Sequence, residues 1–272
     1  MVIDLIFNNS LYNNYLSNLN KFYKIYKEGF NIFCKIDDIK IPLVSLGTSP
    51  FIGAGQFGFR AFEWRRKFLY NSEAMFEILD ASYEKGARGI QIIPTGKIIE
   101  AARMMNELHS DYVITGSTYP GEDPGIDQLI EIGAKLIFVH GMISDNKGPN
   151  LMKLLEEISG YGVIPGIATH DPIPTIGYCI ENSLNVKVFL IPFNKNGFLM
   201  GNIKKLEEIV NKTKNFYFIG MKTLAAGKIK PNIAFKYIAN HNICAVTIGM
   251  VTKKQAEEST KIALKYLINK KL

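Results

Sequence analysis

The sequence predicts an α/β protein of the (β/α)8 or TIM-barrel class, and three observations support this. Eight apolar stretches of strand length occur between residues 43 and 272, and a stretch with helical periodicity follows each of them. The strand stretches are apolar on both faces, which is typical of an all-parallel sheet covered by helices. Eight such units within about 230 residues fit a closed barrel far better than an open, doubly wound sheet.

Two elements are predicted ahead of the barrel, in residues 1–42. From Leu11 to Tyr26, aromatic and aliphatic residues recur at helical spacing, which predicts an amphipathic helix that packs against the domain or against another subunit. The stretches NIFCKI and IKIPL follow, and Asp37 and Asp38 between them favour a hairpin turn. We expect this hairpin to cap the closed end of the barrel, and residues 1–272 to form a single domain with the barrel in residues 43–272.

The barrel units then follow in order along the chain. The predicted strands are LVSLGTSPF, GIQII, DYVITGSTY, KLIFVHGM, VIPGIATHD, VKVFLIPFN, FYFIGMK and CAVTIGM. The helices between and after them are SEAMFEILDASYEKG, KIIEAARMMNELH, DPGIDQLIEIG, NLMKLLEEISGYG, PIPTIGYCIENSL, NIKKLEEIVNKT and two that begin at Pro231 and Thr252. We expect Ser72 to cap the first of these helices and Gly86 to end it.

The long segment after the first strand, IGAGQFGFRAFEWRRKFLYN, has no clear period. Its glycines spell G-x-G-x-x-G, but aromatic residues interrupt the pattern, and the strand that follows ends in Pro-Thr instead of an acidic residue. A dinucleotide fingerprint needs that acidic residue and a helix opening on the third glycine. We interpret the segment as a mobile loop over the strand ends, with Trp64, Arg65 and Arg66 available to cover a ligand.

Composition and charge exclude several classes of protein. Three distant cysteines without a CxxC pair favour free thiols and a reducing interior. Neither a secretion signal nor an apolar run of membrane-spanning length is evident, so we expect a soluble, cytoplasmic protein without a membrane partner. The formal charge of +7 comes from lysines dispersed over outer helix faces. We therefore expect no nucleic-acid partner and favour an anionic small-molecule ligand.

Functional residues of a barrel are expected at the carboxyl ends of its strands. The polar and glycine residues collected there are Thr48, Ser49, Thr95, Tyr119, His140, His170, Asp171, Asn194, Lys195, Lys222 and Gly249. Among them, His140, His170, Asp171, Lys222 and Tyr119 are the catalytic candidates. We interpret His109 and His241, at helix ends, as structural or solvated.

Each candidate also has a structural interpretation. His140 could be a satisfied core histidine, and Asp171 could only cap the next helix. Lys222 follows an apolar run, so its pKa could be lowered by burial. It could then act as an electrophile, as a Schiff-base lysine or as the counter-ion of a bound phosphate. Lys195 could be a solvated loop lysine.

Residues 215–259 contain two strand–loop–helix units with Gly and Lys in each loop. Backbone N–H groups at a helix N-terminus and a nearby ammonium form an anion site. The sequence therefore predicts that a phosphate or carboxylate binds here. A metal bound by His140, His170 and Asp171 is a weaker alternative, because no fourth ligand is evident and neighbouring residues of a strand point in opposite directions. We predict no metal.

Parts of the chain resemble the aldo-keto reductases. The hairpin leading into VSLGTSPF resembles the opening of that family, and KLIFVHGM resembles its strand that ends in the active-site histidine, here His140. IGMKTLAAGKIKP and AVTIGMVTKKQAEES resemble the closing section that grips NADPH. The resemblance implies nucleotide-binding positions at Lys222, Leu224, Gly227, Gly249, Thr252, Lys253, Gln255 and Glu258.

Three of the four catalytic positions of that family are not matched. Pro94 and Thr95 stand where the family carries Asp, no Tyr follows until Tyr112, and the third strand ends without a Lys. Tyr119 remains as a substitute acid, without a lysine to tune it. The resemblance thus implies a divergent member with a similar fold, and it does not carry the family's reaction over.

Three hypotheses on function follow. The first is an enzyme that acts on a phosphate- or carboxylate-bearing metabolite at the barrel mouth by lyase- or isomerase-type acid/base chemistry. The second is a divergent NADPH-dependent oxidoreductase resembling the aldo-keto reductases. The third is a non-catalytic ligand-binding or assembly protein. In each case the aromatic N-terminal helix is a candidate contact in a homo-oligomer.

Overall fold

A computed structural model of the protein describes residues 31–268 and residue 270. Residues Phe33–Leu272 form one compact unit. The helix predicted between Leu11 and Tyr26 lies outside the described residues. The assignment of the whole chain to a single domain stays a prediction.

Eight parallel strands close into a barrel in the order β10-β3-β4-β5-β6-β7-β8-β9. They are β3 (Val44–Gly47), β4 (Gly89–Ile92), β5 (Val113–Ser117), β6 (Leu136–Val139), β7 (Ile164–Ala168), β8 (Val188–Pro192), β9 (Tyr217–Met221) and β10 (Ala245–Ile248). The barrel closes where β10 pairs in parallel with β3, with Val246 opposite Val44 and Thr247 opposite Ser45. The predicted (β/α)8 barrel is confirmed.

Helices cover the outside of the barrel. They are α1 (Phe59–Phe68), α2 (Ser72–Tyr83), α3 (Ile98–Leu108), α4 (Ile126–Glu131), α5 (Gly141–Ser144), α6 (Pro149–Gly160), α7 (Pro172–Glu181), α8 (Ile203–Lys212), α9 (Pro231–Ile238) and α10 (Lys253–Leu267). Each long helix buries a stripe against the strands; in α8, for example, Leu206 and Val210 are fully buried. Among the described residues, no helix has both the length and the apolar character needed to cross a bilayer.

The segment between β3 and α2 is not the predicted loop. A 3-10 turn (Gly55–Phe57) leads directly into α1. Phe68 at the end of α1 is fully buried, and its ring centroid lies 4.7 Å from that of Phe51. Gly53 has a φ of +66°, and a Cβ there would lie 2.4 Å from the carbonyl oxygen of Ala61. The glycine and the aromatic residues therefore hold a packed helix in place.

The first cap was assigned one residue too late. Asn71, and not Ser72, caps α2, because its side chain accepts a hydrogen bond from the backbone N–H of Ala74 at 3.0 Å. The Ser72 hydroxyl instead donates to Glu100 on α3, at 2.8 Å. Gly86 follows the helix with a φ of +104°, as predicted for a residue that ends it.

The predicted hairpin forms and covers the amino-terminal end of the barrel. Strand β1 (Phe33–Ile36) pairs antiparallel with β2 (Ile39–Pro42). Lys187, directly before β8, forms an ion pair with Asp37 at 3.1 Å. Pro42 at the end of β2 packs closely on Gly89 at the start of β4, because a Cβ added to this glycine would lie only 3.0 Å from Pro42 Cγ. The opposite end of the barrel remains open.

Candidate functional site

A cleft of about 470 Å³ opens where β3, β9 and β10 end. One wall is the loop that follows β9 (residues 222–230), and a second is the start of α10. The 3-10 turn and α1 form a third wall, to which Gln56, Arg60 and Trp64 contribute. The helix that was missed in the sequence therefore borders the cleft, and Trp64 lies where a ligand could be covered.

The loop after β9 has an unusual backbone. Lys222, Ala225 and Ala226 have φ values of +54°, +46° and +56°, a region that costs free energy for residues other than glycine. The backbone N–H of Ala225 donates to the carbonyl oxygen of Lys222 at 2.8 Å, and Ala225 is fully buried beside Ile229. This packing stabilises the strained conformation of the loop and thereby fixes the backbone position of Lys222.

Lys222 is one of the residues that line the cleft. Its Nζ donates to Gln56 Oε1 at 2.5 Å. In the part of the chain that the structure describes, no carboxylate lies within ion-pair distance of it. Burial lowers the pKa of Lys222 to about 8. At neutral pH the side chain is therefore a charged group that a bound anion would stabilise.

Three further cations line the same cleft: Arg60 from α1, and Lys228 and Lys230 from the β9 loop. None of the three forms an ion pair with any carboxylate in the described ranges. With Lys222, these cations outnumber Glu258, the acidic residue of the lining, and such an excess of positive charge in a cleft attracts anions. Sequence reasoning did not select these three residues.

Apolar and hydroxyl groups complete the lining. The ring centroids of Phe57 and Trp64, which both line the cleft, lie 4.9 Å apart in an edge-to-face arrangement. Thr223 and Thr247 also line the cleft, and their Oγ1 atoms are buried without a hydrogen-bond partner among the described residues. Buried hydroxyls without partners are uncommon, and a polar ligand in the cleft would satisfy them.

The start of α10 is stabilised by its own side chains. Thr252 Oγ1 accepts from the backbone N–H of Gln255 and so caps the helix, and Gln255 Oε1 accepts from the backbone N–H of Val251, both at 3.1 Å. Lys253 forms an ion pair with Glu77 of α2 at 3.3 Å. Neither Thr252 nor Lys253 lines the cleft, whereas six other residues predicted to hold a nucleotide do: Lys222, Leu224, Gly227, Gly249, Gln255 and Glu258.

Two histidines lie beside the cleft at the mouths of β6 and β7. The rings of His140 and His170 form an edge-to-face pair with centroids 5.8 Å apart. His140 Nδ1 accepts from the backbone N–H of Met142 at 3.2 Å, so the proton of its neutral ring is on Nε2. Burial first, and then His170 and Lys222, lower the pKa of His140 to about 4. Burial and Lys222 also lower the pKa of His170.

Asp145 positions His170, and sequence reasoning did not select it. Its carboxylate accepts from the hydroxyl of Thr169, from that of Thr175 at 2.9 Å and from the backbone N–H of His170 at 2.9 Å. Its Oδ2 also lies 4.0 Å from His170 Nδ1. The signal in the sequence is weak, because Asp145 lies five residues beyond His140 and therefore well past the end of the strand.

The other catalytic candidates lie apart from this arrangement. Tyr119 is 45% exposed and does not line the cleft. Asp171 is exposed and stands at the N-cap position of α7, but its side chain makes no capping hydrogen bond. Among the described residues, no group of three or more His, Cys, Asp or Glu side chains could hold a metal ion.

Several polar residues at the strand ends have structural roles. Thr48 donates to the carbonyl oxygen of Gln91 at 3.1 Å, and Asn194 closes its loop through two hydrogen bonds with the backbone of Phe198. Lys195 is exposed to solvent. His109 stacks on Tyr83 with ring centroids 3.6 Å apart, in line with the structural interpretation of that residue.

Comparison with known proteins identifies the fold and no sequence relative: neither a protein-family model nor a curated protein matches the chain. A Pseudomonas aeruginosa protein provisionally assigned as an aldo-keto reductase matches with a TM-score of 0.64 at 13% identity, over 88% of this chain and 96% of that chain. MGS-M4, an aldo-keto reductase enzyme from a Medee basin deep-sea metagenome library, matches with a TM-score of 0.56 at 16% identity, over 85% and 88%.

A third structure carries a ligand. It is a variant of Gox0644 in complex with NADPH, and it matches with a TM-score of 0.59 at 13% identity, over 85% of this chain and 87% of that chain. At these identities the similarity shows the fold alone. The chain has the barrel fold of aldo-keto reductases.

Proposed function

We propose that the protein is an oxidoreductase that binds NADPH in the cleft between the β9 and β10 loops and reduces a carbonyl group at the barrel mouth. The observation that carries the proposal is the cleft itself, which is lined by two aromatic side chains (Phe57 and Trp64) and by four cations (Arg60, Lys222, Lys228 and Lys230) that form no ion pair with a carboxylate of the described residues. One matching fold, that of Gox0644, holds NADPH in one of its structures.

The residues present fit a phosphorylated nucleotide. Phosphate groups need cations and hydrogen-bond donors, which Lys228, Lys230 and Arg60 supply. The hydroxyls of Thr223 and Thr247, which have no hydrogen-bond partner in the described part of the chain, add donors, and an aromatic ring such as that of Trp64 can stack on a base. These residues would hold the cofactor, and the chemistry that NADPH supplies when bound is a hydride for a carbonyl carbon.

The proposal predicts that the fluorescence of NADPH changes on binding and that reversing the cleft charge weakens binding. We expect the double substitution Lys228→Glu and Lys230→Glu to raise the dissociation constant about tenfold or more, which corresponds to about 1.4 kcal/mol. Lys204→Glu, on the outer face of α8, changes the net charge in the same sense without touching the cleft and serves as the control. Wild-type protein that gives no fluorescence change with millimolar NADPH would contradict the proposal.

A second function is favoured by one observation, the burial of Lys222, which lowers its pKa to about 8. A lysine of this kind can form an imine with a carbonyl substrate in lyase or isomerase chemistry. That reaction would act on a phosphate- or carboxylate-bearing metabolite held by the same cations. Reduction with borohydride in the presence of a carbonyl compound separates the two functions, because only an imine leaves a stable adduct on Lys222.

A further inference from the structure

Lys222 occupies the junction between two parts of the site. It lines the cleft in which the proposed cofactor would lie, and its charge lowers the pKa of both His140 and His170 at the mouths of β6 and β7. Among the described residues, it is the group that faces the cleft and also acts on both imidazoles. A carbonyl group placed between the cofactor and the histidines would therefore lie next to the Lys222 ammonium.

We propose that Lys222 is the proton donor of the reduction, a role that rests on the proposed function. NADPH, when bound, would supply a hydride for the carbonyl carbon, and the electron pair of the carbonyl π bond would move to the oxygen. The oxygen takes a proton from Lys222 Nζ, which is left as a neutral amine, and the product is an alcohol. The amine regains a proton from water at the open mouth of the barrel.

The surroundings of Lys222 suit an acid that works near neutral pH. Gln56 Oε1 holds the Nζ at 2.5 Å and, being neutral, does not stabilise the ammonium as a carboxylate would. Burial brings the pKa to about 8, close to the range in which a general acid is most effective. The strained backbone at Lys222 fixes the position of this side chain.

Other groups at the mouth are less suited to give the proton. His140 carries a proton on Nε2 in its neutral form, and a neutral imidazole N–H is a far weaker acid than an ammonium. It can instead donate a hydrogen bond to the carbonyl oxygen and orient it. Tyr119 is 45% exposed and lies outside the cleft lining.

The test changes the acidity of Lys222 without removing it. Gln56→Glu puts a carboxylate next to Nζ, so the pKa of Lys222 should rise by about one unit or more. Because the donor must be protonated, wild-type activity should fall as the pH rises through about 8. In Gln56→Glu the same fall should occur at a higher pH. The other charged or titratable groups around Lys222 are His140, His170, Arg60, Lys228, Lys230 and Glu258.

The rate of NADPH oxidation is measured with a panel of para-nitrobenzaldehyde, methylglyoxal and pyruvate. Lys222→Met should lower it by about 10²- to 10⁴-fold while NADPH still binds within about tenfold of wild type. Lys195→Met replaces an exposed lysine at the end of the neighbouring strand and should change neither quantity. Thermal unfolding of each variant checks that it is folded.

A second readout does not depend on turnover. The rate at which acetic anhydride acetylates Lys222, followed by mass spectrometry, should rise with pH around a midpoint near 8 in the wild type and at a higher pH in Gln56→Glu. Lys270 provides an internal standard, because burial lowers its pKa to about 8 as well and it lies near the start of β10, where its Nζ donates to the carbonyl oxygen of Ile243 at 2.8 Å.

Three results would overturn the proton-donor role while leaving NADPH binding intact. The first is a Lys222→Met variant that oxidises NADPH at the wild-type rate. The second is a Gln56→Glu variant whose activity falls at the same pH as that of the wild type. The third is an adduct on Lys222 that borohydride reduction makes stable. If the wild type binds no NADPH, or reduces no member of the panel, the proposed function itself is contradicted and the donor role falls with it.

Discussion

At the mouth of the barrel, burial lowers the pKa values of three basic side chains. His140, His170 and Lys222 are each partly buried, and each histidine is further discouraged from protonation by the Lys222 ammonium. The Asp145 carboxylate raises the pKa of both histidines. Its oxygens, however, already accept hydrogen bonds from two hydroxyls and a backbone N–H. The mouth therefore presents one ammonium and two neutral imidazoles, a set that favours a bound oxyanion over a cation.

This arrangement predicts an acid-sensitive contribution to stability. The unfolded chain protonates His140 at its ordinary value of 6.5, whereas the folded protein does so only near 4. Between these values the unfolded state binds the extra proton, so the free energy of unfolding should fall as the pH falls from about 6.5 to about 4. Protonation of His140 can lower the free energy of unfolding by at most on the order of 3 kcal/mol. His170, whose pKa is also lowered, contributes in the same direction.

Urea denaturation at a series of pH values checks this expectation. His140→Asn keeps a side-chain acceptor for the backbone N–H of Met142 but cannot be protonated, so it should flatten the dependence within that window. If the free energy of unfolding of the variant depends on pH as steeply as that of the wild type, groups other than His140 cause the acid sensitivity.

At the scale of elements, α1 shows where sequence patterns stop being informative. Phe59 is fully exposed and Phe62 is 72% exposed, whereas Phe68 on the same helix is fully buried. The aromatic residues therefore do not form one apolar stripe, and helical periodicity could not be detected. The helix is held by contacts with Phe51 and around Gly53, which are tertiary and have no local signature. The eight strands, by contrast, are mostly apolar, and all eight were identified from the sequence.

The N-cap of α2 could not be assigned from the sequence, because two neighbouring residues suit that position. Asn71 and Ser72 are both good capping residues, and the sequence does not show that the Ser72 hydroxyl is taken by Glu100, 28 residues away. We expect Asn71→Ala to lower the free energy of unfolding by about 1 kcal/mol. Asn71→Asp, which keeps the oxygen acceptor, should retain most of the stability. Denaturant titration compares the two, and equal losses would argue against the cap.

At the scale of the whole molecule, the site draws on two parts of the barrel. His140 and His170 follow the fourth and fifth barrel strands, β6 and β7, and the cleft residues follow the last two, β9 and β10, with α1 from the start of the barrel as a third wall. The rule that barrel sites lie at the carboxyl ends of strands found Lys222 and both histidines.

That rule could not find Thr247, which lies within β10 and is one of the residues that line the cleft. It also could not find Lys228 and Lys230, whose placement in the cleft depends on the left-handed backbone of the loop after β9. The route of such a loop is determined by buried contacts such as that between Ala225 and Ile229, which the sequence alone does not indicate.

The pairing of β10 with β3 has a consequence for the motions of the protein. The cleft takes its walls from residues on both sides of this seam, with Gly47 on one side and Gly249 on the other. A ligand in the cleft therefore bridges the first and last strands of the barrel. It should slow hydrogen exchange of seam amides such as that of Val246, which donates to the carbonyl oxygen of Leu43 at 2.9 Å. The amides between β6 and β7, on the far side of the barrel, should be protected much less by the same ligand.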